Sequence, residues 1–421
     1  MLRIFLLILA LNFFSLTYAE NNSVNNIHSC GITPQNKMVL SAFYYFGSHI
    51  VTPETLDKYK SSIAHLDVLN YSVAGINEES TLTLGEITAQ NILTIQKWIK
   101  DNHLKTKLVL SIGHWAAKNS LKIFTDLSIR KKFNNSVVAL LKNPSYGLKG
   151  VDIDWENVFE EGTGGVKQFS SMITDLRASF DKAGLHNMCL SVDLPMGKFA
   201  KIYPAPTGWA SPINWANLMA YAFYGEPHNT ELDGALGLVG AQYGEKAPSY
   251  GTTSISSTLE YYISHGLPKD KVLIGLPYYA LGNYTRHGGS GAQYSLRQRI
   301  LPHSPLMILS YSGVAERYGT FKNPKRPGTI HQYTFVAPPN VKGTHAYWIS
   351  ELLVESKELG KTYEFISYQD PDAVKDVAQF AMKNGYLGFS AWQLTDDLPF
   401  TNKNSILRTL YDAITPPSIK K

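Results

Sequence analysis

Three carboxylates at alternate positions are the side chains of this sequence best suited to chemistry. Asp152, Asp154 and Glu156 alternate with apolar residues. Because successive side chains of a strand point to opposite faces, the three acids share one face, with roughly 6.5–7 Å between neighbours along the strand. Ionised carboxylates are costly to bury without partners, so this pattern is not that of an ordinary buried strand.

The crowding of these acids indicates what they could do. Like charges disfavour each other's ionisation, so the pKa of at least one of the three carboxyl groups is expected to rise. A glutamic acid that stays protonated near neutral pH is able to serve as a general acid. The alternative is a half-exposed strand whose acidic face is simply solvated.

Short apolar strands and amphipathic helices alternate along most of the chain and would position these acids. Strands are predicted at residues 38–45, 68–73, 107–112, 150–156, 188–194, 217–223, 272–277 and 388–393. Helices are predicted between them, among them 86–102, 123–141 and 166–183, and one that begins at Asp370-Pro371 and ends at Gly385. This order predicts the α/β class and a (β/α)8 TIM barrel, with a doubly wound open sheet as the alternative.

The seventh and eighth predicted strands are separated by about 110 residues, far more than one crossover connection requires. The part from about residue 284 to 363 is rich in Tyr, Pro and Gly and contains extended pieces such as 331–336. We therefore expect a small α+β insertion between strand 7 and strand 8. The glycine-rich run at 288–291 lacks the context of a phosphate-binding loop and is interpreted as a plain loop.

The two ends of the chain differ from its middle. Residues 1–19 have a short basic start, an apolar stretch and a Thr-Tyr-Ala end, which predicts a secretory signal peptide cleaved after Ala19. Its apolar stretch is shorter than the ~20 residues that a membrane-spanning helix needs. Residues 20–36 are predicted to be a flexible lead-in, 37–415 the folded barrel with its inserted lobe, and 416–421 a tail. The protein is therefore expected to be secreted, extracellular or periplasmic, and free of the membrane after cleavage.

Composition narrows the classes of partner. The net charge of +5, or +4 without residues 1–19, does not suggest a nucleic-acid or acidic-membrane partner. The 25 Tyr and 7 Trp offer flat surfaces that suit stacking against sugar rings, although most are expected in the core. No His or Cys cluster has the spacing of metal ligands, so no metal and no other cofactor is predicted. Cys189 is interpreted as a buried single thiol, with a disulfide to Cys30 as the alternative.

The acidic strand also resembles a known family signature. Gly150-Val-Asp-Ile-Asp-Trp-Glu156 is similar to the signature Asp-Gly-x-Asp-x-Asp-x-Glu of glycoside hydrolase family 18, the chitinase family, at all but the first position, where Lys149 stands. The segments 111–115, 219–222, 273–278 and 388–392 resemble the third, sixth, seventh and last strands of that family. The resemblance covers residues 38–415 and is firm only at the strands.

The resemblance implies a retaining, substrate-assisted hydrolysis in which the acetamido group of an N-acetylhexosamine is the nucleophile. Glu156 would protonate the glycosidic oxygen and later activate water. Asp154 would accept a hydrogen bond from the acetamido N–H, and Asp152 would hold Asp154 and tune the proton affinity of the cluster. The hydroxyl of Tyr221 would donate to the acetamido oxygen.

The same resemblance implies a sugar-binding surface. Trp392 would form the floor beneath the distorted sugar, and Trp115, Met219 and Tyr45 are expected to bind substrate beside it. Asp193, predicted to face inward on the fifth strand, is a further candidate for the site. Trp155 is expected to point outward into the helix layer and to serve packing.

Two departures from the family pattern bear on activity. His114 replaces the second Gly of the third-strand motif, and Ala222 replaces an Asp that in relatives helps to position the sugar and the catalytic acid. Asp193 could supply a carboxylate from another direction. We expect a secreted monomer that cleaves β-1,4-linked N-acetylglucosamine polymers such as chitin. The alternatives are a chitinase-like lectin and an endo-β-N-acetylglucosaminidase that acts on N-glycans or peptidoglycan.

Overall fold

The structure is a computed structural model, and it describes residues 30–32, 34–47, 49–113, 120–155, 165–201, 203–221, 254–285, 307–320, 323–324, 329–334, 345–356 and 360–415. The strands are β1 (Val39–Tyr45), β2 (Val68–Ala74), β3 (Lys107–Gly113), β4 (Gly150–Asp154), β5 (Cys189–Leu194), β6 (Trp215–Leu218), β7 (Val272–Pro277), β8 (Tyr279–Thr285), β9 (Met307–Ser310), β10 (Gly319–Thr320), β11 (Asn323–Pro324), β12 (Thr329–Thr334), β13 (His345–Ser356), β14 (Gly360–Gln369) and β15 (Gly388–Trp392). The helices are α1 (Pro53–Lys58), α2 (Lys60–Ile63), α3 (Glu86–Asp101), α4 (Ser120–Thr125), α5 (Leu127–Lys142), α6 (Gly165–Lys182), α7 (Gly197–Ala200), α8 (Ile255–Ser264), α9 (Tyr311–Tyr318), α10 (Pro371–Asn384) and α11 (Ile406–Ile414).

Eight parallel strands close into a barrel in the order β1-β15-β7-β6-β5-β4-β3-β2. Closure is direct, because β1 pairs with β15 on one side and with β2 on the other. The predicted (β/α)8 TIM barrel is therefore confirmed, and the open sheet is excluded. In such a barrel the strands' C-terminal ends meet at one face, where active sites are built.

The two faces of β4 have different environments, as its alternating sequence predicts. Val151 and Ile153 are fully buried in the large apolar cluster between the strands and the helices. The next residue on that side, Trp155, packs its ring against Phe124 of α4 and Phe133 of α5, with ring centroids 4.9 and 5.6 Å apart. This confirms that Trp155 serves packing, and it leaves the acids of β4 to face the inside of the barrel.

The N-terminal end of the barrel is closed by an apolar plug and a disulfide. Cys30 and Cys189 are bonded, with their Cα atoms 4.9 Å apart. The interpretation of Cys189 as a single thiol was wrong, because the pairing depends on where a segment 159 residues away folds. The plug consists of Cys30, Ile32, Val39, Val68, Val109, Cys189, Trp215, Leu273 and Leu387.

The last residues of the lead-in are fixed to the barrel by burial and by a hydrogen bond. Cys30 and Ile32 are buried, and the backbone N–H of Gln35 donates to Asp67 at 2.8 Å. The prediction of a flexible segment at 20–36 therefore fails for the residues from Cys30 onward that the structure describes. Residues 1–29 and 416–421, which contain the predicted signal peptide and tail, lie outside the described residues.

A second sheet lies in sequence between the last two barrel strands. Its five strands have the order β12-β13-β14-β8-β9, and a small pair, β10-β11, accompanies α9. The sheet begins with β8, two residues after β7, and ends with β14 just before α10. The inserted lobe thus extends beyond the predicted bounds of 284 and 363 at both ends. The run at 288–291 lies outside the described residues.

One predicted helix, 123–141, is two helices in the structure. The side chain of Asp126 accepts hydrogen bonds from the backbone N–H groups of Ser128 and Ile129 and so caps the start of α5. Arg130 donates to the carbonyl oxygen of Ile123 near the end of α4. The apolar periodicity continues across this break, which is why the pattern predicted one helix. By contrast, α10 begins after the cap Asp370 and ends at Gly385 (φ 74°), as predicted.

The sixth barrel strand also differs from its prediction. It spans Trp215–Leu218 rather than 217–223, so Met219 and Tyr221 follow the strand instead of lying within it. Lys271 stabilises the start of this strand, because its buried Nζ donates to the carbonyl oxygens of Ala210 and Ile213 at 2.7 and 2.8 Å. None of the helices in the described part of the chain is long and apolar enough to cross a membrane.

Candidate active site

The inside of the barrel holds a buried carboxylate surrounded by donors. Asp152 is fully buried on β4. Its carboxylate accepts hydrogen bonds from Ser111 Oγ at 3.0 Å, Ser191 Oγ at 2.6 Å and Asn217 Nδ2 at 3.0 Å. These donors come from β3, β5 and β6, so three separate strands orient one carboxyl group.

Burial and hydrogen bonding act on this acid in opposite directions. Burial raises the pKa of Asp152 to about 6, because a charge is less stable away from water. Hydrogen bonds with Ser191, Ser111, Asp193 and Asn217 oppose that rise in pKa. The group is therefore a weaker acid than an exposed aspartic acid, and its anion is held in one orientation.

Asp154 lies one level nearer the C-terminal end of the barrel. It ends β4 and pairs in register with Gly113 of β3. On the other side, Ile153 pairs with Val192 of β5, which places Asp193 beside Asp154 at the same level. Asp154 and Asp193 are each only 5% exposed. Two of the three predicted acids of β4, with a third acid from β5, thus lie together inside the barrel.

Four residues singled out in the sequence lie outside the described residues, namely Glu156, Trp115, His114 and Ala222. Glu156 follows Asp154 by two positions in the sequence, so its place on the acidic face remains a prediction from strand alternation. Lys149, the residue that breaks the family signature, is exposed at the opposite end of β4, away from Asp154.

Aromatic rings line the C-terminal rim on the far side of the barrel. Trp392 ends β15, and its ring lies 5.5 Å from that of Phe43 and 6.0 Å from that of Tyr45, centroid to centroid. The planes of Tyr45 and Trp392 differ by 31°. Tyr45 is 45% exposed and Trp392 is half-buried, so both rings present area to solvent.

A polar chain supports this rim. The backbone N–H of Tyr45 donates to the Gln393 side-chain oxygen at 3.1 Å, and Gln393 in turn hydrogen-bonds with Asp396. Burial raises the pKa of Asp396 to about 6. A second acid with a raised pKa therefore lies beside the aromatic rim, four residues after Trp392 in the sequence.

Tyr221 and Met219 follow β6 and are half-buried at the same end of the barrel. The ring of Tyr221 meets that of Tyr279 edge-on at 6.0 Å. Gly275 of β7 permits this placement, because a Cβ there would lie 2.2 Å from the Leu218 carbonyl oxygen and 3.0 Å from the Tyr221 ring. A glycine on the neighbouring strand thus makes room for the tyrosine.

Sequence reasoning missed two donors of the site, Ser191 and Asn217. Ser191 alternates with Asp193 along β5, and this period of two was a usable signal. Asn217 lies directly across from Asp193 in the register of β5 and β6. This pairing depends on how far β6 is shifted along β5, which the sequence of neither strand alone predicts. Within the described residues, no group of three His, Cys, Asp or Glu side chains could hold a metal ion.

A sequence model of the Glycosyl hydrolases family 18 matches residues 41–397. The chain belongs to this family. Its resemblance to the family signature is thereby confirmed, and the barrel is that of a glycosidase family.

The relatives of this family 18 chain with curated names include chitinases at low identity. Chitinase A1 of Niallia circulans is 25% identical over 352 residues, which cover 79% of this chain and 46% of that protein. Class V chitinase of Arabidopsis thaliana is 22% identical over 368 residues, which cover 85% of this chain and 86% of that protein. The chain therefore spans less than half the length of the first relative and most of the second.

A solved structure of similar fold is a mutant of class V chitinase from Nicotiana tobaccum in complex with NAG4. The TM-score is 0.67 at 17% identity, and the superposition covers 90% of this chain and 99% of that one. At this identity the likeness concerns the fold, and it agrees with the closed barrel described above.

Proposed function

We propose that this family 18 protein hydrolyses β-1,4-linked N-acetylglucosamine polymers, such as chitin or chitooligosaccharides, with retention at the anomeric centre. The observation that carries the proposal is the buried Asp152, whose carboxylate accepts hydrogen bonds from three side chains. It lies two positions before Asp154, which in turn lies two positions before Glu156. Carboxylates held in this way inside a barrel suit a reaction in which one acid donates a proton and its neighbours orient the substrate.

In the proposed mechanism the substrate's acetamido oxygen attacks its own anomeric carbon, while Glu156 protonates the departing glycosidic oxygen. The cyclic intermediate is then opened by a water molecule that Glu156 deprotonates. Asp154 accepts the hydrogen bond of the acetamido N–H and so aligns the nucleophile. Asp152, held by the donors of three strands, orients Asp154.

The remaining site residues are assigned to sugar binding. Trp392 serves as the floor for the reacting sugar, and Tyr45 extends that apolar surface, since the rings lie 6.0 Å apart and reach solvent. Tyr221 would donate to the acetamido oxygen, with Met219 packed beside it. Trp115 is assigned to the same cleft from its sequence motif.

The test compares three forms of the purified protein: the natural chain, Glu156→Gln, and the control Glu86→Gln, whose side chain is exposed at the start of α3. We expect the natural chain and Glu86→Gln to release products from N-acetylglucosamine oligomers, and Glu156→Gln to release none above background. Mass spectrometry identifies the products, and proton NMR of the first product shows whether the β-anomer is retained.

Two other outcomes would change the assignment. Binding of the oligomers by all three forms without any product contradicts the hydrolase and indicates a chitinase-like lectin. Cleavage of N-glycan cores or peptidoglycan, with none of chitooligosaccharides, contradicts the chitin substrate and indicates an endo-β-N-acetylglucosaminidase. No bound group other than the sugar is part of this proposal.

We also propose that the protein is secreted after cleavage behind Ala19 and acts as a monomer. The Cys30–Cys189 disulfide supports secretion, because such bonds persist in oxidising compartments. The intact mass of the exported protein tests the cleavage site: a chain that begins at Glu20 agrees with the proposal, and a chain that retains residues 1–19 contradicts it.

A further inference from the structure

The inside of the barrel contains a pair of carboxyl groups joined through one amide. Asn217 Nδ2 lies 2.7 Å from Asp193 Oδ1 and 3.0 Å from Asp152 Oδ1. The amide has two hydrogens, so it donates one to each acid. Because Asp193 and Asn217 are paired in register on β5 and β6, the backbone places these two side chains opposite each other.

With one amide nitrogen between them, the carboxyl groups of Asp152 and Asp193 are close enough to share a proton, and their interaction lowers the pKa of Asp152. Carboxylate oxygens only accept hydrogen bonds, so a direct bond between two carboxyl groups requires a proton on one of them. Besides Asp193, Asp152 has three neutral donors, the hydroxyls of Ser111 and Ser191 and the amide of Asn217. Donors of this number stabilise an anion, which places the negative charge on Asp152 and the proton on Asp193.

We propose that Asp193 is a neutral carboxylic acid at neutral pH, that it donates its proton in a hydrogen bond to Asp152, and that it is a positioning residue rather than a sugar-binding one. The structural part of this inference stands on the amide of Asn217 between the two acids and on the hydroxyl donors of Asp152. Its catalytic consequence rests on the proposed function, since it acts through Asp152 on Asp154.

The surroundings of Asp193 favour its neutral form. Among the described residues, the titratable groups near it are Asp152 and Asp154 on β4, Tyr203 after β5 and, behind that tyrosine, Tyr262 on α8. The hydroxyl of Tyr203 donates to the backbone oxygen of Asp193 at 3.3 Å. Burial holds the pKa of both tyrosines well above 10, so these phenols stay neutral. If Asp193 were ionised, its negative charge would lie beside Asp152 and Asp154 in a buried site, which is energetically costly.

The consequence for catalysis is a limit on the alkaline side. When Asp193 loses its proton, Asp152 loses a donor and gains a repelling neighbour, so Asp154 is no longer held in place. Asp193→Asn keeps an N–H donor toward Asp152 but has no proton to lose. Asp193→Leu keeps the approximate volume and removes the donor.

Infrared difference spectra test the location of the proton without requiring any activity. We expect the spectrum of the natural chain minus that of Asp193→Asn, at pH 7, to show the C=O band of a protonated carboxyl group, and this band to disappear on titration to alkaline pH. In Asp152→Asn the same band should titrate at lower pH, because the anion that holds the proton is gone. A difference spectrum without the band overturns the proposal, as does a carboxylic-acid band that persists in Asp193→Asn and vanishes in Asp152→Asn.

Two further measurements connect the proton with stability and turnover. If the folded chain keeps the Asp193 proton that the unfolded chain releases at about pH 4, the natural chain should lose unfolding free energy relative to Asp193→Asn as the pH rises, until the folded chain releases that proton as well. If the protein is a hydrolase, kcat/KM of Asp193→Asn should exceed that of Asp193→Leu at neutral pH and should decline less in alkali than that of the natural chain. Asp193→Leu should lose about 10²-fold at all pH values. Equal alkaline losses in the natural chain and Asp193→Asn contradict the positioning role, whereas an inactive natural chain contradicts only the proposed function.

Discussion

At the scale of single residues, the site is defined by the neighbours of its acids as much as by the acids. Asp152 is oriented by hydroxyl and amide donors that are individually common side chains. Glycine has a comparable role at Gly275, where the absence of a side chain lets the Leu218 carbonyl and the Tyr221 ring approach β7. The shape of the cleft therefore depends on small residues that carry no chemistry themselves.

Substitution at Gly275 tests this dependence. In Gly275→Ala the new Cβ would lie 2.2 Å from a backbone oxygen, so β6 or β7 must shift and the Tyr221 ring must move with it. We expect the free energy of unfolding to fall by about 1–3 kcal/mol, the usual cost of overpacking, as measured by urea denaturation. The control Gly75→Ala adds its methyl group to open space and should change little. Equal stability of the two variants would show that the strands tolerate the added carbon.

At the scale of elements, local pattern predicted those features that depend on neighbouring residues in the sequence. The alternation of β4 predicted both the inward acids and the outward Trp155, and Asp370 and Gly385 predicted the ends of α10. These predictions hold because a strand's faces and a helix's caps are decided within a few residues.

Features decided by distant partners were not predictable in the same way. Asp126 caps α5 only because the chain turns there, and the apolar periodicity of the sequence gives no sign of such a turn. Asn217 becomes a partner of Asp152 through the relative shift of β4, β5 and β6, which no single strand encodes. The acids and the aromatic rim of the candidate site could thus be predicted from the sequence. Ser191 and Asn217, two of the donors that orient Asp152, were not predicted.

The connection between the lead-in and the barrel depends on pH through Asp67. Its carboxylate accepts hydrogen bonds from the backbone N–H groups of Gln35 and Leu40 at 2.8 and 2.9 Å. Burial nevertheless raises the pKa of Asp67 to about 6, from an ordinary value of 3.8. A folded-state pKa above the unfolded value means that the contribution of Asp67 to stability is largest below about pH 4 and declines as the pH rises through about 6.

We therefore expect the natural chain to lose up to about 3 kcal/mol of unfolding free energy relative to Asp67→Asn between pH 4 and pH 7. Urea denaturation of both proteins at these two pH values measures the change. Asp101→Asn, at an exposed position on α3, is the matched control and should follow the natural chain at both pH values. A stability difference between the natural chain and Asp67→Asn that does not vary with pH would mean that Asp67 ionises normally in the folded protein.

At the scale of the whole molecule, the two ends of the barrel differ in the side chains that they carry. The C-terminal end carries the acids and the aromatic rim, and the N-terminal end is closed by the apolar plug and the disulfide. The polar interior near Asp152 lies between them.

The contribution of the disulfide is large because it joins residues 159 positions apart. The chain-entropy model assigns about 5 kcal/mol to a closed loop of this length, as an upper value. We expect reductant to lower the Tm of the natural chain and to leave the Tm of Cys30→Ser unchanged, with the oxidised natural chain the most stable of the four samples. Scanning calorimetry with and without reductant measures this, and a natural chain whose Tm is insensitive to reductant would show that the plug alone stabilises this end.

The same bond divides the molecule into a covalent ring and an open remainder. The ring runs from Cys30 to Cys189 and contains β1 to β4, whereas β6, β7, β15 and the inserted lobe lie outside it. A protease that cuts once within the ring leaves its two products joined, and they migrate as one species in electrophoresis until reductant is added. A cut in the lobe releases a separate fragment at once in denaturant. The pattern of fragments before and after reduction therefore reports which half of the barrel opens first.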